Sequence, residues 1–445
     1  MKKLTIIAVV LLSSAAFISA QNGNTKKDLQ VYLNKDSTHY LKSTLCLQTW
    51  IRYNDNNPGS TVFGKQEDRA FDIGIRRFRM QMFGQITDRV FVYTQFGINN
   101  FNSISSRKSG AFFHDLTGEY VVKKNMLNIG AGLTGWSGLS RYASPSVASF
   151  LMSDAPLFQQ ATNDVTDQFL RKFSVYAKGK IGKFDYRVAV SKPMPIVTMA
   201  GFTSADTTVT SKATFSPDPV KQQYQGYFQY QFFDQESNVT PYATGCYLGK
   251  KKVLTAGAGL IYQPEALRYK STDTSSVMMK HDLLLLAADV FLDLPLNKEK
   301  QNAITAYAGY FNYDFGQKYY RNVGVFNVAN GLKAGSNTAS GFGDAFPMIG
   351  TGQIGYLQAG YLFRKDLLKS LGTLQPVASV YAASLEALKD PVTVYEGGIN
   401  WLINNHNAKL NLNYQNRPVF IKSTSGDITQ SERKGMIYMQ YQVFF

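Results

Sequence analysis

The sequence predicts an all-β protein: a transmembrane antiparallel β-barrel of about 16 strands, with short periplasmic turns and long extracellular loops. Three observations lead to this prediction. The chain begins with an apolar segment typical of exported proteins, strand-length segments of alternating polarity continue to its end, and its last residue is a phenylalanine. We therefore expect the cell outer membrane as its location and outer-membrane lipid as one partner.

The first residues indicate export. Lys2 and Lys3 precede an apolar segment from Leu4 to Phe17, and the small residues Ser19-Ala20 follow. This is the pattern of a secretory signal peptide, so we expect a signal peptide at 1–20, a periplasmic lead-in at 21–42 and the barrel domain at 43–445. No later segment reaches the roughly 18 apolar residues of a transmembrane helix.

The hairpin Phe71–Asn100 shows the alternation most clearly. Phe78 and Met80 share one face of its first strand, while Arg77 and Arg79 share the other. Each strand has the length of about ten residues that crosses a bilayer at a tilt. Apolar residues earlier in the first strand are out of phase with Phe78 and Met80, which predicts a β-bulge near Arg76-Arg77.

Other segments repeat this pattern and, with the two hairpin strands, bring the number to sixteen. They are Ser43–Tyr53, Thr117–Lys123, Met126–Leu133, Arg171–Lys178, Phe184–Lys192, Gln222–Phe233, Lys251–Tyr262, His281–Phe291, Asn302–Asn312, Gln353–Phe363, Leu374–Ala383, Thr393–Ile403, Asn407–Gln415 and Gly435–Phe445.

The connections alternate between tight turns and long loops, as in outer-membrane barrels. The long loops are Thr134–Leu170, Ser191–Lys221, Tyr313–Gly352 and Asn416–Lys434. Asp234–Lys250 is the exception, because it is long where the order requires a short turn.

The closing strand has an unbroken apolar face that ends at the C-terminus: Ile437, Met439, Tyr441, Val443 and Phe445. An exposed strand edge in water invites aggregation, and pairing with the first strand would remove that edge. The alternative is that this segment is the C-terminal strand of a secreted β-sandwich protein.

The energy of burial decides which face of each strand points to lipid. An arginine at the bilayer midplane costs about 2–4 kcal/mol, so Arg77 and Arg79 should line the pore. The same phase argument places four further cations inside: Arg52, Lys178, Arg187 and Lys409. A basic lumen favours anions, although ordinary wall charges solvated by channel water would show the same pattern.

The loop Thr134–Leu170 is too apolar to extend into water. It carries Trp136, Leu139, Tyr142, Val147, Phe150, Leu151, Met152, Leu157 and Phe158. We expect it to bend into the lumen as a constriction loop, with Arg141 and Asp154 near the constriction and facing Arg77 and Arg79. The alternative is packing on a neighbouring subunit or on adjacent outer loops.

Motifs for other chemistry are weak. Gly130–Gly135 matches a dinucleotide-binding pattern, but no clear helix follows it. The four histidines have no metal-ligand spacing, and Cys46 and Cys246 are read as unpaired. We expect no enzyme, no metal, no cofactor and no nucleic-acid partner.

Several of these features together carry a family resemblance. They are Arg76-Arg77-Phe78-Arg79, the aromatic strand Phe91–Gly97, the glycine-rich strand Asn128–Gly132 and the loop segment Asp154-Ala155-Pro156. This set resembles the phosphate-selective porin O and P family of outer-membrane porins. The resemblance implies a homotrimeric channel for passive diffusion of small hydrophilic solutes, with a preference for anions that include phosphate. Two alternatives stay open: a receptor or interaction surface built from the long loops, and a barrel hydrolase.

Overall fold

Sixteen strands pair in sequence order and close into an antiparallel barrel in the computed structural model, which describes residues 29–106, 110–136, 138–194, 209–218, 220–271 and 277–445. The strands are β1 Tyr40–Asp55, β2 Arg69–Gln85, β3 Val90–Phe101, β4 Phe112–Lys123, β5 Leu127–Thr134, β6 Lys172–Ile181, β7 Phe184–Lys192, β8 Gln223–Gln231, β9 Val253–Lys270, β10 Met278–Asn297, β11 Asn302–Asp314, β12 Gly352–Leu362, β13 Thr373–Leu385, β14 Val392–Asn404, β15 Ala408–Lys422 and β16 Ile428–Phe444. The predicted signal peptide, 1–20, lies outside the described residues.

The barrel closes where the sequence predicts. Strand β16 pairs with β1 from Phe444 opposite Cys46 to Met436 opposite Asn54. Beyond that ladder, the Leu45 N–H donates to the Phe445 carbonyl at 2.6 Å, and the Phe445 N–H donates back to Leu45 at 3.0 Å. Every barrel strand therefore has two neighbours, and the predicted fold class is confirmed.

The two faces of the wall differ as expected. On β2, Met80 is 48% exposed on the outside of the barrel, whereas Arg79 on the inside is 3% exposed. The other strands show the same alternation, so that large apolar side chains cover the outside. An outer surface of this kind suits a lipid environment.

Strand β2 contains the predicted β-bulge. Gln48 of β1 lies opposite Arg77, and the next residue, Thr49, lies opposite Ile75. Arg76 is therefore the extra residue. Because the bulge interrupts the alternation, Arg76 and Arg77 are both buried inside the barrel although they are adjacent in sequence.

All sixteen predicted segments are strands, but one predicted loop is wrong. Asn416–Lys434 is not a long loop, because β15 continues to Lys422 and β16 begins at Ile428. Beyond the bilayer both faces of a strand contact water, so the apolar alternation that marks a strand within the membrane is lost there.

Among the described residues, three long connections extend into the barrel interior. We call residues 135–171 the constriction loop, residues 232–252 the periplasmic insert and residues 315–351 the cover loop. The constriction loop contains the 3₁₀ turns Arg141–Ala143, Val147–Ser149 and Leu157–Gln159, and a fourth turn, Lys369–Leu371, follows β12. Short strands complete the structure: Leu29–Tyr32, Ser60–Val62, Lys65–Gln66, Thr214–Phe215, Tyr320–Val323, Gly331–Leu332 and Phe346–Gly350.

The largest apolar cluster lies inside the barrel, between the constriction loop, the cover loop and the wall. Phe158 of the constriction loop packs edge-on against Phe311 and Tyr381, with ring centroids 4.9 and 5.1 Å apart.

Leu29–Tyr32 pairs with the first residues of β1. The part of the chain that the structure describes contains no helix long and apolar enough to cross a membrane.

Candidate functional site in the barrel lumen

The constriction loop crosses the lumen and is held by the opposite wall. Side chains of β14, β15 and β16 donate hydrogen bonds to its carbonyl oxygens: Asn400 to Leu151 (2.8 Å), Lys409 to Phe150 (3.0 Å), Gln440 to Ser153 (2.9 Å) and Gln442 to Ala148 (2.9 Å). Most of the apolar side chains that predicted this placement are buried there. The loop therefore bends into the lumen as expected, and Lys409 serves as one of its anchors.

Asp154 of this loop lies between two arginines of β2. Its Oδ2 atom accepts a hydrogen bond from Arg76 Nε at 2.6 Å, and its Oδ1 atom accepts one from Arg77 Nη2. Burial would raise the pKa of Asp154, but the two guanidinium groups outweigh it and lower that pKa below its ordinary value. The predicted contact between Asp154 and Arg77 is present, and the bulge adds Arg76 to it.

Arg79 lacks an acidic partner. Its Nη1 atom donates to the carbonyl oxygens of Phe78 and Ile98 at 2.9 and 2.8 Å, and its Nη2 atom donates to Asn99. Among the described residues, no carboxylate lies within ion-pair distance of this guanidinium group. The lumen thus contains a buried positive charge that its own ion pairs do not neutralise.

Lys178 and Arg187 hold the periplasmic insert. Lys178 pairs with Glu119 at 2.7 Å and donates to the Val239 carbonyl of the insert at 2.7 Å. Arg187 lies 4.6 Å from the ring centroid of Trp136, and its Nη1 atom is 3.5 Å from the Pro241 carbonyl oxygen. Both side chains point into the lumen, as the strand phase predicts.

Arg141 has a different partner from the one expected. We expected it to face Arg77 and Arg79, but its Nη2 atom lies 2.5 Å from Glu236 Oε1 in the periplasmic insert. Its guanidinium group also lies over the ring of Phe291, 3.6 Å from the centroid. The sequence predicted that the loop enters the lumen, but for the insert its only sign was the unexpected length of Asp234–Lys250.

The loop and the insert meet along their backbones. The Ser146 N–H donates to Ala243 O at 2.8 Å, and the Ala243 N–H donates to Ser144 O at 2.9 Å. Tyr142 donates its hydroxyl hydrogen to Gly245 O at 3.0 Å. Segments that enter from opposite ends of the barrel therefore contact each other inside it.

Arg52 anchors the cover loop. It pairs with Asp72 of β2 at 2.7 Å and lies 4.0 Å from Asp344 of the loop. Its guanidinium group is 4.2 Å from the ring centroid of Phe326, which the loop also supplies. Five of the six predicted pore-lining cations contact at least one of the three interior segments: Arg52, Arg77, Lys178, Arg187 and Lys409. That they border the path of a solute stays a prediction.

Two cavities lie beside these segments. The larger has a volume of about 1110 Å³ and lies at the periplasmic end, where Lys250, Lys251, Lys252, Lys298 and Lys365 contribute to its wall. The smaller has a volume of about 110 Å³ and lies where the three segments meet β2 and β3. Arg76, Arg77, Arg79 and Arg171 line it.

Sequence reasoning missed Arg76, Arg171 and Glu236 as residues of this region. The predicted bulge was the available signal for Arg76, because a bulge allows two adjacent side chains to share one face. Arg171 and Glu236 had no comparable signal. In the described part of the chain, no group of three or more His, Cys, Asp or Glu side chains is arranged to hold a metal ion.

Comparison with known proteins rests on structure. No family model matches the chain. No curated protein sequence matches it either. The structure resembles OprB of Pseudomonas putida with a TM-score of 0.52 at 10% identity, covering 91% of this chain and 94% of that one. It resembles OmpF of Salmonella typhi with a TM-score of 0.50 at 9% identity, covering 93% and 99%. The chain has the fold of the bacterial outer-membrane porins.

Proposed function

We propose that the protein is an outer-membrane channel for passive diffusion of small hydrophilic solutes, with a preference for anions. The porin fold and the apolar outer surface support the membrane location. One observation carries the anion preference: three arginines of β2 converge at the constriction, and Asp154 pairs with only two of them. A constriction at which arginines outnumber carboxylates lowers the entry barrier for anions and raises it for cations.

The path of a solute runs between the constriction loop and the periplasmic insert. These segments contact each other through Arg141 and Glu236 and through backbone hydrogen bonds. Passage therefore requires the two segments to separate, and we treat the Arg141–Glu236 pair as the latch between them.

The proposal has two more specific parts. Phosphate is one of the transported anions, and the chain assembles as a homotrimer. Both rest on the resemblance of the arginine-rich hairpin to the phosphate-selective porins. Light scattering of the detergent-solubilised protein measures the assembly, and a mass of one chain would contradict the trimer. We also propose that the chain is not an enzyme, so incubation with phospholipid vesicles should release no fatty acid.

The decisive experiment is the zero-current potential of the purified, folded chain in planar bilayers under a tenfold potassium chloride gradient. The expected sign is that of chloride permeating faster than potassium. A cation-selective potential would overturn the anion preference. A folded protein without any conductance would favour the alternative in which the long loops form an interaction surface.

A further inference from the structure

The smaller cavity has the features of a binding site for an anion. It lies at the junction of the constriction loop, the insert and the cover loop, and four guanidinium groups line it. Its volume is about 110 Å³. A water molecule occupies about 30 Å³, so the cavity has room for about four waters or a solute of about five heavy atoms. We call it the arginine pocket.

The charges around the arginine pocket do not cancel. Asp154 pairs with Arg76 and Arg77. Asp115 lies 3.7 Å from Arg171. Asp164 stands at the rim and Arg79 has no acid partner. Four guanidinium groups against three carboxylates leave one positive charge, which is the complement of a monoanion.

Unused hydrogen-bond donors accompany this charge. Among the described residues, the Nε atoms of Arg79 and Arg171 and the Nδ2 atom of Asn99 are buried without a hydrogen-bond partner. Arg79 is 97% buried, since only 3% of its surface is exposed. A buried donor without a partner loses about 1–3 kcal/mol, so an acceptor that enters the pocket would recover part of this energy.

The polar side chains of Asn99, Asn100, Ser144, Gln160, Asn163 and Tyr242 also line the pocket, and a further part of its wall is apolar. Phe150 and Leu157 of the constriction loop, Phe169 near its end, and Val323 and Val325 of the cover loop supply it. Inorganic phosphate has polar oxygens on every side and would place some of them against this apolar part of the wall. A short hydrocarbon chain would instead cover the wall while its carboxylate faces the arginines, which bind carboxylates in a fork geometry.

We propose that the arginine pocket binds a small organic monocarboxylate of about three or four carbons during its passage through the barrel. This inference rests on the proposed channel function, and it names a class of solute that the resemblance to phosphate-selective porins does not suggest. Propionate, a monoanion with five heavy atoms, is the probe that matches the size and charge of the pocket.

The experiment is isothermal titration of the purified full chain with sodium propionate and with sodium phosphate at constant ionic strength. Propionate should bind at least tenfold more tightly than phosphate. Arg79→Gln should weaken propionate binding at least tenfold, whereas Arg89→Gln, at an exposed turn, should leave it unchanged. Val325→Thr keeps every arginine and nearly the same volume, and it should weaken propionate binding without weakening phosphate binding.

A folding control and a second variant keep each outcome of the titration interpretable. Heat-modifiable mobility on gels verifies folding, and Val325→Thr decides the question if Arg79→Gln fails to fold. Equal or tighter binding of phosphate would overturn the monocarboxylate assignment. Because titration measures binding without conduction, that failure is separate from a failure of the channel function, which the zero-current potential reports.

Discussion

Arg141 of the constriction loop and Glu236 of the periplasmic insert form a buried ion pair, although one segment enters the barrel from outside and the other from the periplasm. Arg141 donates to both carboxylate oxygens of Glu236, with distances of 2.7 and 2.5 Å. Tyr247 also donates to Glu236, at 2.8 Å. The lumen is therefore spanned by a contact between two separate chain segments.

Glu236→Gln should loosen this latch. Removal of one partner from a buried ion pair costs about 3–5 kcal/mol, because it leaves the other charge unpaired. The constriction loop and the insert should then separate more often, and the mean single-channel conductance should rise. Glu299→Gln, in an exposed periplasmic turn, is the matched control. If both variants conduct like the unaltered protein, the pair is not a latch.

Lowering the pH should also raise the mean single-channel conductance, because it protonates Glu236. Burial would raise the pKa of Glu236, but Arg141 and the hydroxyl of Tyr247 outweigh it and lower that pKa below its ordinary value. A carboxylate whose pKa is lowered in the folded state stabilises its contact above its ordinary pKa of about 4.3. That stabilisation is lost as the pH falls through the lowered value. Conductance should stay constant from neutral pH to about 5 and rise below about 4, and a rise near neutrality would contradict this assignment.

Asp154→Asn should increase the preference for anions. The substitution removes the negative charge that pairs with Arg76 and Arg77, so the constriction becomes more positive. It should also destabilise the barrel by about 3–5 kcal/mol, because two buried guanidinium groups lose their carboxylate. The zero-current potential and urea-induced unfolding measure the two effects. Asp88→Asn, at an exposed turn, should change neither, and an unchanged potential for Asp154→Asn would show that these arginines do not select ions.

Deletion of Phe445 should reduce the folded fraction of the protein. The residue makes two backbone hydrogen bonds to Leu45 at the barrel seam. Each contributes about 1 kcal/mol, and its loss leaves the end of β1 unpaired. The heat-modifiable fraction in the outer membrane measures the effect, with Phe445→Tyr as the control. An unchanged folded fraction would mean that closure does not depend on the last residue.

Met80→Arg should destabilise the barrel by about 2–4 kcal/mol if this residue lies near the bilayer midplane. Met80 points outward from β2, where a guanidinium group would face hydrocarbon. Unfolding in urea from lipid vesicles measures the loss, and Phe78→Arg should behave in the same way. Met80→Leu keeps the apolar surface and should have little effect. If both arginine variants are as stable as the unaltered protein, the face of β2 that carries Phe78 and Met80 does not contact lipid.

The sequence by itself determined the sixteen strands, their phase and the bulge at Arg76. In a membrane barrel lipid faces one side of each strand and the lumen the other, so alternation within about ten residues reveals both the strand and its orientation. The bulge was visible because Ile73 and Ile75 are out of phase with Phe78. The same reasoning failed beyond the bilayer, where β15 and β16 extend through the predicted loop Asn416–Lys434.

Only the tertiary structure decided what the lumen cations bind. Lys409 donates to Phe150, 259 positions away, and Arg141 pairs with Glu236, 95 positions away. No local pattern encodes such partners, because the sequence around a lumen-facing cation is the same whether its side chain contacts water or another chain segment. Entry of the periplasmic insert into the barrel was likewise not predicted: Asp234–Lys250 is unusually long for a periplasmic turn, but length alone does not show where a segment packs.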